Sequence, residues 1–457
     1  MGKRLIVVLA CVFALSFSVA AYAEVQNLKV SGDVLVRGVD RENFSLDDEG
    51  TAKYEASGII SAARLRVDAD LTDNVSTTVR LLNERSWDQE NTEDSDIDLD
   101  LAYVMMKEFL YSPLTLTVGR QELRFGNALV IGDVDGNGAS VSANVPPDLS
   151  LRKSFDAIRA TLNYDPLVVE VIYSKINENE AGTNAWYTGS TEKRDTDLYG
   201  VNAKYDLSAL GITGTGEAYY FGRVNRSTLA TVGKKDTCHT IGVLVGGQIV
   251  ENLTGSLEFA YQLGQASVDG TGTNSLWMLD RRAWAVQSGL NLALAKKWSP
   301  NLGLIFTYLS GDDSDNDNYS YWDPMYEDQA LNNVVNAILP HTNVLAFNAK
   351  ASIQPADDVT ITGVYGYYHL AKEMNTMLIP SLYGTGGDPA TGTTGAYTMT
   401  TKNDLGHALD LTATYDYTED VQLGLSFGYF NPGSAFDKAN NVDHDATQLV
   451  GSMKVTF

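Results

Sequence analysis

Seven arginines in the first part of the chain have the chemistry and the spacing to bind anions. A guanidinium group donates paired hydrogen bonds to a carboxylate or phosphate, and it does so most effectively in a wall of low dielectric. These arginines occur in segments where polar and apolar residues alternate. The candidate solute-binding residues are Arg37, Arg64, Arg66, Arg80, Arg120, Arg124 and Arg159.

Acidic residues are interleaved with these arginines, as Asp33, Asp68 and Glu170 show. In one interpretation the arginines form an anion path. In the other they pair with the carboxylates in a structural ladder that fills and stiffens the interior. The residues alone favour neither interpretation.

The segments that carry these charges alternate with a period of two, which is typical of β-strands with one apolar face. Within residues 254–263, Leu257 and Phe259 share one face, and Glu258 and Gln262 share the other. An Arg or Lys that faces lipid at mid-bilayer costs roughly 2 to 4 kcal/mol. We therefore expect the charged face of each strand to line an interior.

About eighteen such segments follow one another, and short and long connections alternate between them. This arrangement predicts an all-β fold: a transmembrane antiparallel β-barrel of about eighteen strands, with short periplasmic turns and long extracellular loops. The short turns include 71–74, 165–166, 355–358 and 418–420, and the long loops include 126–153, 311–342 and 371–404. We expect loop 126–153 or loop 371–404 to fold inward and narrow the channel.

The fifth segment breaks the alternation. Val118 shares a face with Arg120 and Arg124, while Phe125 lies on the other face. A β-bulge reverses the faces of the residues that follow it. We therefore predict a bulge at or just after Gly119, which brings both arginines into the lumen.

The N-terminus has the features of an export signal. Two basic residues precede an apolar run over residues 5–21, and Ala23 ends a small-residue cleavage site. We expect residues 1–23 to be a cleaved signal peptide and residues 24–457 to form a single outer-membrane barrel domain.

The cysteine content and the last strand also indicate the compartment of the protein. Cys238 is the single cysteine after the signal, so we expect no disulfide and no haem attachment. The last strand ends in Phe457, which resembles the signal read by the outer-membrane barrel assembly machinery. Outer-membrane lipid and that machinery are therefore expected partners.

Charge and motifs exclude other classes of function. The net charge of −25 argues against a nucleic-acid partner. There is no HExxH or CxxC motif, and His407 and Asp410 differ in parity, so we predict no enzyme activity. Asp313, Asp315 and Asp317 begin a calcium-loop spacing that lacks its Gly and Glu. We predict no metal site and no cofactor.

Three parts of the chain resemble the alginate-export family of outer-membrane porins. They are similar to its GRQ-type strand, to its SGDD and F-D-P elements, and to its G-H-E-L-D-L strand with an F-x-P-G ending. The matching segments are 119–126, 308–313 with 322–326, and 405–415 with 428–433. Ala408 stands where the family usually carries Glu. The resemblance implies an eighteen-stranded monomeric barrel that passes an anionic polysaccharide or a related solute through an arginine-lined lumen.

The sequence thus predicts a passive outer-membrane pore for anionic solutes, either uronate-type oligo- or polysaccharides or small organic anions. Two alternatives remain open. The barrel could be the sheath of a transmembrane complex, for instance around an electron-transfer partner. It could also be a structural or adhesive outer-membrane protein whose acidic loops bind cations.

Overall fold

The computed structural model describes most of the chain from Gln26 onward. The signal segment predicted at residues 1–23 lies outside the described residues. Among the described residues, no helix is long and apolar enough to cross a membrane. The described residues are 26–44, 46, 56–87, 97–134, 145–179, 194–226, 235–270, 275–312, 318–374, 376–378, 396–436 and 444–457.

Eighteen strands in these ranges form a closed barrel in which each strand is antiparallel to its neighbours in the chain. The last strand pairs with the first, from Asp33 opposite Thr456 to Glu42 opposite Thr447. The predicted fold is confirmed. The strands are β1 Asn27–Glu42, β2 Ala56–Thr72, β3 Val75–Ser86, β4 Asp98–Met106, β5 Leu114–Glu122, β6 Ser154–Asn163, β7 Leu167–Asn179, β8 Arg194–Asp206, β9 Gly214–Asn225, β10 Asp236–Val250, β11 Leu253–Gly270, β12 Ser275–Ala293, β13 Asn301–Leu309, β14 Val344–Ala356, β15 Val359–Leu370, β16 Asp404–Asp416, β17 Val421–Pro432 and β18 Ala446–Thr456.

Smaller elements lie in the connections. They are the α-helix α1 Val335–Ile338, the 3-10 helices Pro147–Leu149 and Leu207–Leu210, and the short strands Asn318–Tyr319, Thr376–Leu378 and Ala396–Thr398.

Each strand presents one face to the membrane and the other to the lumen. On β11, Leu257, Phe259 and Tyr261 are exposed on the membrane face, whereas Glu258 and Gln262 are buried on the lumen face. Lipid offers no hydrogen bonds to main-chain groups, so a spanning sheet must leave no open edge. The pairing of β1 with β18 meets this requirement.

Two extracellular connections fold into the lumen and meet there. The first inward segment comprises residues 123–134 and 145–153, between β5 and β6, and the second comprises residues 318–343, between β13 and β14. Ile131 and Tyr326 form a parallel bridge between them. The Tyr326 amide also donates to the Val130 carbonyl at 3.0 Å.

Apolar side chains anchor both segments against the inner wall. Ile131 of the first segment and Trp322 of the second pack with Phe155 of β6 and Phe221 of β9 in one buried cluster. Helix α1 of the second segment packs against β14 to β18 in another cluster. Each fully buried large apolar side chain contributes roughly 1.5 to 3 kcal/mol.

The expected inward loop is confirmed for residues 126–134 and 145–153. The second inward segment was not predicted by the sequence. Of loop 371–404, the structure describes only 371–374, 376–378 and 396–403.

The prediction of a bulge at Gly119 is wrong. The register of β5 with β6 is continuous from Leu114 opposite Leu162 to Glu122 opposite Ser154. Gly119 instead has φ +122°, and a Cβ built there lies 2.1 Å from the Ala102 carbonyl oxygen. Only glycine fits this close approach of β5 to β4.

Candidate lumen site

Arg64 and Arg66 lie on the lumen face of β2 and pair with carboxylates on the same wall. Arg64 makes a two-pronged ion pair with Asp33 of β1, at 2.9 and 3.2 Å. Arg66 binds both oxygens of Asp68 at 2.8 Å. Asp68 also accepts a hydrogen bond from Thr78 of β3, at 2.6 Å. The two arginines therefore belong to a ladder that links three strands.

Arg37 contacts the first inward segment. Its Nη2 donates to the carbonyl oxygen of Leu149. On β3, Glu84 accepts hydrogen bonds from the Ser150 hydroxyl at 2.8 Å and the Leu151 amide at 2.6 Å. The wall thus holds residues 149–151 from two sides.

Arg80 reaches from β3 to the next two strands. Its side chain is buried and contacts Asp100 of β4 and Glu122 of β5. The hydrogen-bonded register of β4 with β5 ends at Ala102 opposite Arg120. Arg80 therefore joins the two strands just beyond the end of their ladder.

Arg159 lies near the middle of β6, whereas Arg124 lies beyond the extracellular end of β5. Arg159 of β6 is 3.5 Å from Glu170 of β7 on the lumen face. Arg124 follows β5 and pairs with Asp328 of the second inward segment, which also accepts from Lys153 at 2.6 Å. Asp328 thus ties the two inward segments together.

Arg120 departs from the predicted lumen position. It lies opposite Asp156 on β6. Two residues earlier on β5, Val118 lies opposite Ile158. Val118 and Ile158 are exposed on the membrane face. Because the faces do not reverse at Gly119, Arg120 points outward, and it binds both oxygens of Asp156 at 2.8 and 3.0 Å.

The seven predicted arginines are therefore dispersed along the wall and do not converge on one centre. Six contact a carboxylate, and Arg37 contacts a main-chain carbonyl. This pairing is what the structural-ladder interpretation expects. Arg66 keeps 37% of its side-chain surface exposed, which is more than Arg64, Arg80 or Arg159 on the lumen wall.

The second inward segment is held by a charge cluster that the sequence did not reveal. Asp323 lies between Arg223 of β9 and Arg281 of β12, at 3.0 Å from Arg223 Nη1 and 3.1 Å from Arg281 Nη1. Burial alone would raise the pKa of Asp323, but the two guanidinium groups outweigh it and lower the pKa to about 2. Asp323 is the aspartate of the F-D-P-like element, and this resemblance is the sequence feature that could have pointed to the cluster.

Two glutamates on the wall hold the start of the first inward segment. Glu217 of β9 accepts from the Gly126 amide at 3.2 Å, and Glu258 of β11 accepts from the Asn127 amide at 3.3 Å. These buried carboxylates satisfy main-chain donors that would otherwise lie unpaired in the lumen.

From β12 to β18 the lumen wall is rich in hydroxyl and amide side chains, and its charged residues include Arg281, Lys350, Asp410 and Lys454. Lys350 of β14 stands exposed on this wall, on the same face as the buried Asn348, while Phe347 is exposed to the membrane. Among the described residues, Lys350 makes no ion pair. The wall residues are Gln287, Asn291, Thr307, Asn348, Ser352, Thr362, Thr412, Ser426 and Ser452.

The described residues show no cluster of metal-binding side chains. They contain no group of three metal-ligating residues, and residues 313–317 lie outside the described ranges. The stretch 424–428 has the spacing GxSxG, but Ser426 lies within β17 and hydrogen-bonds to Thr412 at 3.1 Å. A nucleophile elbow requires a sharp turn from a strand into a helix.

Known structures share this barrel. OccD3 (OpdP) of Pseudomonas aeruginosa is 13% identical with a TM-score of 0.52, and the match covers 96% of this chain and 95% of that one. OpdQ of the same organism is 13% identical with a TM-score of 0.53, covering 95% and 99%. The outer membrane protein opdK of Pseudomonas aeruginosa is 10% identical with a TM-score of 0.53, and the match covers 94% of this chain and 99% of that one. At these identities the likeness concerns the fold.

Sequence comparison identifies the family. No curated protein matches the chain. The profile described as alginate export matches residues 37–450, which include nearly all of the barrel. The chain therefore belongs to the alginate export family and is an outer-membrane β-barrel channel.

Proposed function

We propose that this channel passes anionic solutes by passive diffusion, with uronate-type oligo- or polysaccharides and small organic anions as the solute class. The observation that carries the proposal is the exposed Lys350 on a wall rich in neutral hydrogen-bonding groups. A sugar acid presents hydroxyl groups together with a carboxylate, and this wall offers partners for both. Selectivity then comes from charge and constriction, without catalysis.

In this proposal the arginines mainly support the structure of the wall. Arg64, Arg66 and Arg159 line the lumen but are paired, so they stabilise the wall and offer residual donors to a passing anion. Arg37, Arg80 and Arg124 position the inward segments and the wall around them. Arg120 is assigned no solute contact because it faces the membrane.

The other two functions considered from the sequence receive less support. A sheath needs a wide lumen for its partner, whereas the two inward segments pack in the lumen of this barrel. No contact among the described residues points to adhesion.

We propose that the barrel acts as a monomer in the outer membrane.

Planar-bilayer recordings of Lys350→Gln test the proposal. A unit charge acts with about 1 kcal/mol at 4 Å even in water. Removal of this charge should therefore lower the anion-to-cation permeability ratio severalfold. The triple variant Arg64→Gln, Arg66→Gln, Arg80→Gln should lower the ratio if the paired arginines also contribute.

The matched control is Lys297→Gln, which removes an exposed lysine from the turn between β12 and β13. It should leave the permeability ratio unchanged. If neither Lys350→Gln nor the triple variant changes ion selectivity, the anion preference is refuted and the arginines are a structural ladder only. Uronate oligomers should block the wild-type current more than neutral oligomers of equal length.

A further inference from the structure

The wall has a notch near the extracellular ends of β4, β5 and β6. Strand β4 pairs with β5 only from Ala102 to Met106, whereas β5 continues to Glu122 in its pairing with β6. A cavity of about 220 Å³ lies beside the unpaired stretch. The charged residues that line it are Asp98, Asp100, Arg120, Arg152, Asp156 and Lys175.

Part of the notch lining lies on the outer face of the barrel. Arg120 and Asp156 lie above the exposed Val118 and Ile158 on the outer face. Lys175 of β7 lies two residues after Tyr173, which is also exposed on that face, and it pairs with Asp195 and Asp197. An arginine or lysine facing hydrocarbon is costly, whereas at the interface its cost falls to roughly 0 to 1 kcal/mol. These charges therefore mark the level of the headgroups in the outer leaflet.

The cations and carboxylates of the notch come from different elements and converge from both sides of the wall. Arg152 belongs to the first inward segment and pairs with Asp98 of β4. Its Nε also lies 3.6 Å from the buried carboxylate of Glu84 on β3. Arg120 and Asp156 keep 40% and 55% of their side chains exposed. Exposed ion pairs contribute only about 0 to 1 kcal/mol, so a ligand can compete for their charges.

We propose that this notch binds the phosphorylated sugar headgroup of a glycolipid in the outer leaflet. A sugar phosphate offers acceptor oxygens to Arg120, Arg152 and Lys175, and it offers hydroxyl donors to Asp98 and Asp156. A phosphate headgroup without a sugar ring offers fewer hydroxyl donors to the carboxylates, and a neutral sugar offers no anionic oxygen to the cations. The position of part of the lining on the outer face selects a lipid over a soluble sugar.

Native mass spectrometry of the folded barrel in detergent tests this site, with lipid A, phosphatidylglycerol and glucose 1-phosphate as probes. We expect the wild type to bind lipid A in preference to phosphatidylglycerol. Lys175→Gln and Arg120→Gln should each weaken lipid A binding about tenfold, because each removes a charged donor. Folding is checked by circular dichroism and by heat-dependent gel migration.

The matched control is Lys402→Gln, an exposed extracellular lysine outside the notch. It should bind lipid A as the wild type does. Equal lipid A binding by Lys175→Gln and the wild type refutes the site, even if Arg120→Gln fails to fold. Equal binding of phosphatidylglycerol refutes the sugar specificity, and equal binding of glucose 1-phosphate refutes the lipid as its source. Conductance is not involved in this test, so it is independent of the proposed solute.

Discussion

Asp323 shows how one residue fixes the position of a long connection. It binds two arginines that project from β9 and β12 into the lumen, and Arg281 is almost fully buried. Buried cations without a counter-charge carry a large desolvation penalty. Asp323 and Asp236, which also pairs with both arginines, together neutralise them, and Asp323 does so at the contact that anchors the second inward segment.

We predict that Asp323→Asn releases the second inward segment from the wall. Removal of one partner from a buried ion cluster costs up to about 5 kcal/mol. Here it leaves Arg223 and Arg281 to share Asp236 as a counter-charge. The rate of chymotrypsin cleavage within residues 318–343 at pH 7 should rise strongly. Asp358→Asn, in the short turn between β14 and β15, is the control and should leave cleavage at the wild-type rate.

The pH dependence of the same contact checks its charge. The pKa of Asp323 is lowered from 3.8 to about 2. Its stabilisation is therefore present above pH 3.8 and is lost as the pH falls toward 2. Pepsin at pH 2 should cleave the wild type and Asp323→Asn at similar rates. A large difference that persists at pH 2 would show that the contact does not depend on the charge.

Strand β5 shows that a local anomaly in an element can have more than one structural solution. The sequence pattern at Gly119 suggests a bulge, but the strand keeps its register and glycine adopts a positive φ. Leu123 and Phe125 then enter the lumen as part of the apolar cluster. Arg120 consequently points outward, whereas Arg124, which follows the strand, pairs with Asp328 of the second inward segment.

We predict that Gly119→Ala weakens the pairing of β5 with β4. The added methyl group meets the Ala102 carbonyl, and a positive φ in a residue other than glycine costs roughly 1 to 3 kcal/mol. The urea midpoint for unfolding in detergent should fall. Gly38→Ala on β1 is the matched control, because a Cβ there has no neighbour within 4 Å. Equal midpoints would contradict the close approach.

At the scale of the whole molecule, the barrel combines a paired wall with two inward segments. The segments contact each other through Tyr326 and Asp328 and contact the wall through apolar clusters and buried charges. Contact with lipid requires apolar side chains on the outer face, whereas the side chains of the inner face can differ from one part of the wall to another. One part of the wall therefore holds the inward segments, and another offers neutral polar groups around Lys350.

We predict that Phe457→Ala lowers the amount of folded barrel in the outer membrane of cells without preventing refolding in detergent. Phe457 is exposed, and its main chain pairs with Gly32 whichever side chain it carries. The aromatic ring is thus available for recognition during assembly. Met453→Ala, on the same face of β18, is the control. Equal cellular yields for Phe457→Ala and the wild type would refute the assembly signal.

The sequence by itself determined the strand number, the closed antiparallel barrel and the two faces of each strand. A period of two and the demands of lipid on main-chain hydrogen bonds leave few other solutions. It could not determine which charges meet, because Asp323 finds Arg223 and Arg281 only after the barrel closes. Only the tertiary structure decided which connections fill the lumen, that Arg120 faces outward and that Lys350 lacks an ion-pair partner among the described residues. These features depend on registers and contacts between residues far apart in the chain.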